Sequence, residues 1–117
     1  MKFLLLIYAT EETTDPGKTG AAMSELGAKH MALVAELGAT NLSAAGLKSV
    51  NMATTVRTAG AKKTVHDGPF AETKEQLGGY YLIDTPDLDA AIAVAKKIPL
   101  RKDGAVEIRP LMNPPPA

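Results

Sequence analysis

Cysteine is absent from this chain, and that absence removes disulfide staples, thiol nucleophiles and thiolate metal sites together. Aromatic residues are scarce: tryptophan is missing, and there are 3 tyrosines and 2 phenylalanines. The core must therefore be built from small and aliphatic side chains. No excess of either charge exists, with Lys+Arg 13 against Asp+Glu 13. Phosphate binding wants a basic surplus, so nucleic acid is not expected as a partner. Long apolar runs are also missing. Phe3 to Ala9 falls far short of the roughly 20 residues that a membrane span needs. Lys2 before that run resembles the start of a secretion signal, but Glu11 and Glu12 end the run too early. The expected location is the cytoplasm, with no membrane contact.

What is present fits one domain, placed at residues 1–111, with a proline-rich tail at 112–117. The stretch Asp67 to Tyr81, DGPFAETKEQLGGYY, stands out. Gly68-Pro69 stops the preceding strand, and Phe70 follows at once. Glu72, Lys74 and Glu75 come close together, and Gly78-Gly79 then releases the chain into an apolar run. A plain connection between strands needs fewer residues. The segment reads as a shaped loop that brings carboxylates and an ammonium group to a defined spot.

The rest of the chain is organised by periodicity. Phe3 to Tyr8 is apolar at both parities, the pattern of a central strand buried on both faces. Met23, Leu26, His30, Leu33, Val34 and Leu37 repeat at steps of three and four, so a helix is expected. Asp15 or Thr19 is placed to cap it and Gly38 to end it. Asn41 to Leu47 is a weak strand. Ala53–Thr58 and Lys63–Asp67 form a hairpin about Ala59 to Lys62, and Gly79 to Asp84 is a further strand. Thr85 is placed to cap a second helix, with Pro86 in its first position. Leu88, Ala91, Ile92, Ala95 and Ile98 form that helix's buried stripe, and Pro99 stops it. Lys102-Asp103-Gly104 turns the chain into a last strand at Val106–Arg109. This order predicts an α+β fold, a ferredoxin-like split β-α-β sandwich with two helices on one face of an antiparallel sheet. Its open face and edges are commonly covered by a second copy, so a homodimer is expected.

Candidate chemistry is sparse. His30 lies on the apolar stripe of the first helix, where it is either satisfied by one buried hydrogen bond or used for acid–base work. Asp67 ends a strand. It either orients His30 or bonds backbone N–H groups around Gly68. Arg57 and Lys74 are cations suited to an anionic substrate. Phe70, Glu72 and Tyr81 are the remaining candidate ligand contacts. Glu72, Lys74 and Glu75 read equally well as solvated ion pairs, and Lys74 as a holder of the loop against Asp67. His66 and Asp67 are neighbours on a strand and face opposite ways, as do Tyr80 and Tyr81. Two histidines with scattered carboxylates make no close-spaced metal set, so no metal or other cofactor is expected.

The block DGPFAETKEQLGGYYLID, with AAIAVAKKIP and GAVEIRP behind it, resembles the DGPF branch of the YCII-related proteins from Met1 to about Leu111. The resemblance implies a dimeric ferredoxin-like α/β barrel. It also implies that association with an extracytoplasmic-function sigma factor is possible, since some relatives lie beside or are fused to one. Most relatives have no assigned reaction; one in the wider superfamily is a dehydrochlorinase acting in chloroaromatic breakdown. The YCII branch has a proposed catalytic histidine, which falls on His30, and an aspartate, which falls on Ile98. An isoleucine cannot orient an imidazole, so an acidic partner for His30 must come from elsewhere, with Asp67 the first candidate. Two expectations follow. One is a small-molecule-binding dimeric barrel with an acid–base His30/Asp67 pair, acting on a small anionic or aromatic substrate. The other is a non-enzymatic regulatory or interaction module.

Overall fold

The computed structural model describes residues 1–10, 16–101 and 103–112, of which 16–24 by backbone alone. The expected cap Asp15, the side chain of Met23, residue Lys102 in the last turn, and tail residues 113–117 lie outside what is described, while Thr19 falls inside α1, which begins at Pro16, and so does not cap it.

Among the described residues, six strands and two α-helices follow the expected order. They are β1 (Lys2–Thr10), α1 (Pro16–Leu37), β2 (Asn41–Gly46), β3 (Thr54–Ala59), β4 (Lys62–Asp67), β5 (Glu75–Asp84), α2 (Leu88–Lys97) and β6 (Ala105–Pro110). β2, β5, β1 and β6 form an antiparallel sheet in that order, and β3 with β4 forms a separate two-stranded sheet. The order is that of a ferredoxin-like α+β fold with a hairpin inserted between β2 and β5. β1 is central, as its apolar residues at both parities predicted.

The two faces of the large sheet differ. Phe3 and Leu5 of β1 and Tyr81 and Ile83 of β5 pack under Leu33 of α1 and Ala91, Val94 and Ile98 of the α2 region. Strand alternation sends Leu4, Leu6, Tyr8, Tyr80 and Leu82 to the other face. These side chains are half-buried, and none belongs to the core cluster. No described helix covers them.

Three local expectations are corrected. β5 starts at Glu75, four residues before Gly79, because β1 runs to Thr10 and offers pairing partners to Glu75, Gln76 and Leu77. The glycine pair sits inside the strand, where the register shifts between Ile7 and Tyr8. The true loop is therefore only Gly68 to Lys74. The cap of α2 is Asp87, not Thr85: Asp87 Oδ1 accepts from the Ala90 amide at 2.9 Å. Thr85 is buried and its hydroxyl donates to the Asp87 carbonyl at 3.0 Å. Of the expected stripe, Ala91 and Ile98, the latter just past the helix end, are buried and Ala95 packs against the core; Val94 joins them, while Leu88 is 50% exposed. Starting the helix at Leu88 puts that residue in the first turn, on the wet side.

Candidate functional site

The loop after β4 is held from two sides. On the β3 side, the Gly68 amide donates to the Ala53 carbonyl at 2.8 Å, and the Thr55 hydroxyl donates to the Gly68 carbonyl at 2.7 Å. Arg57 Nη2 donates to the Phe70 carbonyl at 3.0 Å, and its guanidinium carbon lies 4.8 Å from the centroid of the Phe70 ring. Residues 53, 55 and 57 thus grip residues 68 and 70 like the rungs of a short ladder. Gly68 has φ +100, a backbone state that a side chain would strain. On the β5 side, the Gln76 amide donates to the carbonyls of Ala71 at 3.2 Å and Thr73 at 2.9 Å. Sequence reading passed over Gln76. An amide carries two donors and can tie two carbonyls, which the carboxylates around it cannot do.

This clasp forms one wall of a hollow of about 670 Å3. Tyr8 and Leu77 supply its floor from the uncovered face of the sheet, and Leu47, Val50 and Met52 supply the opposite wall. The Leu47 amide bonds the Gly78 carbonyl at 2.8 Å, which carries the chain past the end of β2 and to this place. Ser49 caps the short turn Val50–Met52 by accepting from the Asn51 amide at 3.2 Å. Lys48, Glu75 and Gln76 bring polar groups to the rim. The hollow is lined mainly by apolar groups with a few polar ones, and it is broadly open to solvent, with Met52 and Phe70 largely exposed.

The second candidate centre lies on the helix side of the sheet. His30 Nδ1 is 2.6 Å from the Tyr81 hydroxyl, and the rings are tilted with centroids 5.8 Å apart. In one imidazole tautomer the nitrogen accepts that proton; in the other it donates to the oxygen. Burial holds the His30 pKa below its usual 6.5 and raises Tyr81 above its usual 10. Both shifts favour the neutral forms, so the pair is an uncharged tie between α1 and β5.

The structure does not bring Asp67 to His30. Asp67 ends β4 in the other sheet, exposed, and its carboxylate makes no hydrogen bond or ion pair among the described residues. The Asx-type turn is absent as well, since the Gly68 amide bonds Ala53 instead. Arg57 and Phe70 come together, but Arg57 is spent on holding the loop. Glu72 and Lys74 are exposed and line neither the hollow above nor the groove between Lys29, Glu36 and Lys97. No Lys74–Asp67 ion pair occurs. Tyr81 faces His30 rather than the hollow. Tyr80 takes the opposite face, with its hydroxyl 3.1 Å from Ser43 Oγ. His66 is exposed and bonds Thr64 on its own strand at 2.9 Å. Among the described residues, no group of three or more His, Cys, Asp or Glu side chains is placed to hold a metal ion.

The match to known proteins agrees with this architecture. The YCII-related domain is recognised over residues 1–114. The chain belongs to the YCII-related family. An uncharacterized protein of Rhizobium meliloti (strain 1021) is 45% identical over 69 residues, covering 57% of this chain and 56% of that protein. The match thus spans about half the length of this curated relative. Among the described residues, no helix of this YCII-related chain is long and apolar enough to cross a membrane.

Proposed function

We propose that this YCII-related protein binds a small organic molecule in the hollow behind the Asp67–Phe70 loop, and that it works as a homodimer. One observation carries the binding reading. The bonds from Ala53, Thr55, Arg57 and Gln76 converge on a loop whose inner side is apolar wall and whose other side is water. Such fixing costs conformational freedom and contributes little to the core. Preorganising a ligand seat is the use it fits. The ligand expected is largely apolar or aromatic, of a size that fits within about 670 Å3, with a polar end at the Lys48 and Glu75 rim.

The dimer reading rests on the uncovered sheet face. Leu4, Leu6, Leu82 and Tyr80 form an apolar patch with no helix over it. A second copy packed there would produce the paired-sheet barrel. An acid–base enzyme built on His30 needs a carboxylate to hold one ring nitrogen, and Nδ1 is instead paired with the neutral Tyr81 hydroxyl, with no carboxylate hydrogen-bonded to the imidazole among the described residues. The binding reading is therefore preferred. Its test is a thermal-shift screen of small aromatic and aliphatic acids and amides, run on the native chain and on Leu77→Lys. Compounds that stabilise the native chain by several degrees and leave Leu77→Lys unmoved support it. Equal stabilisation of both chains, or of neither, counts against it.

A further inference from the structure

We propose that the β3–β4 hairpin reaches across to a second copy of the chain and lies on the rim of that copy's hollow, so that each ligand seat is built from two chains. The proposal deepens the reading above and rests on it for the ligand and for the homodimer.

The hairpin is an arm without a body to lie on. Every residue of β3 and β4 except Thr55 is exposed. Val56 and Val65 sit directly opposite each other in the ladder, 59% and 68% exposed. A cross-strand valine pair gives a hairpin little when both members stay wet. An isolated two-stranded ladder is marginal in water, so a long bare hairpin wants something to pack on. The chain as a whole is spread out. Its radius of gyration is 16.3 Å, with extents of 46 × 40 × 20 Å. A compact chain of this length would have a radius of roughly 13 Å.

Geometry excludes the chain's own hollow as the target. Thr55 and Arg57 point toward the loop that walls it, so alternation turns Val56 and Val65 to the opposite side. Thr54↔Asp67 and Thr58↔Lys63 share that outward side with them. Six residues of strand reach roughly 20 Å from the hairpin base, and a paired ladder does not fold back on itself. The outward side therefore faces a different molecule.

Three features select a second copy. The rim of the hollow exposes Leu47 by 46%, Met52 by 70% and Phe70 by 70%, an apolar counterpart to the valine pair. The hairpin is basic, with Arg57, Lys62 and Lys63 against Asp67 alone, while the chain is neutral overall. The rest of the chain therefore carries the balancing negative charge, though Glu75 shares the rim with Lys48 and Glu107 on the uncovered sheet face is paired with Arg109 at 3.9 Å. That uncovered face runs into the hollow through Tyr8 and Leu77, so a dimer formed there brings a partner's hairpin alongside. Symmetry then makes the contact reciprocal, arm to rim and rim to arm.

The absence of cysteine gives a clean test. Val65→Cys and Met52→Cys are made as separate chains; both sites are exposed, so folding is retained. The chains are mixed, allowed to exchange, and treated with a short bis-maleimide, while light scattering gives the oligomeric state. The expected result is a dimer in which the mixture forms a covalent pair several-fold faster than either chain alone. A monomer overturns this proposal and the homodimer reading together. So does a dimer whose mixed pair links no faster than the single chains. No ligand is added, so a failed ligand screen leaves this result intact, and a failed cross-link leaves ligand binding to be judged by itself.

Discussion

His30 and Tyr81 are joined across the seam between the first helix and the sheet, with imidazole Nδ1 2.6 Å from a hydroxyl on a residue only 2% exposed. The contact ties α1 to the centre of the core. Replacing Tyr81 by Phe keeps the ring and removes the hydroxyl, leaving a half-buried nitrogen without its partner. A loss of about 1–2 kcal/mol is expected, read from urea unfolding. Ligand binding in the hollow should not change, because Tyr81 does not line it.

The same pair sets a pH dependence. The folded His30 pKa lies below 6.5, so above that value folded and unfolded chains are both neutral at this site. As pH falls from 6.5 through the folded pKa, the unfolded chain takes up its proton first and stability is lost. His30→Gln should remove that part of the slope between pH 7.5 and 5, measured by urea midpoints. Tyr81 acts at the other end. Its pKa is raised above 10, so the unfolded chain ionises first and stability falls again at more alkaline pH.

Arg57 holds the loop by a donated hydrogen bond and by stacking on Phe70. Lysine keeps the charge but not the planar fork. In Arg57→Lys, amide exchange at Gly68 should quicken about threefold, in line with roughly 0.5–1 kcal/mol for an exposed cation–ring contact. Global stability should move by no more than that. Unchanged exchange would mean that the guanidinium merely rests on the ring.

The two glycines of the Gly78-Gly79 pair are not equivalent. A Cβ on Gly79 would stand 2.9 Å from the Ala45 carbonyl oxygen of the neighbouring strand, whereas one on Gly78 meets nothing within 4 Å. Gly79→Ala should cost about 1–3 kcal/mol by forcing β2 away from β5. Gly78→Ala should fall within about 0.5 kcal/mol of the native chain.

The architecture was legible because it depends on periodicity. Phe3 to Tyr8 announced a central strand, and the stripe through His30 and Leu33 announced the helix over it. The hairpin was marked by β-branched residues on either side of Gly60, which takes φ +61 at the turn. The site was read less well, for a physical reason. Its elements are joined by contacts distant in sequence, as when Gln76 bonds back to Ala71 and Arg57 reaches forward to Phe70. Asp67 looked like chemistry because it precedes a turn, yet its strand belongs to the other sheet. Tyr81 was named as a ligand contact, but strand parity alone did not say which of Tyr80 and Tyr81 faced the helices. Leu47 and Met52, which wall the hollow, gave no periodic signal, because they sit in irregular chain between β2 and β3.

The central claim is that the hollow beside the Gly68–Lys74 loop receives a small molecule. An NMR titration of the isotope-labelled chain with compounds from the thermal screen tests it most directly. The expected result is saturable shifts confined to the amides of residues 47–53 and 70–77 and the methyl of Met52, with His30 and Leu33 unmoved. Shifts centred on His30, Leu33 and Tyr81, or no saturable shift with any stabilising compound, would contradict it.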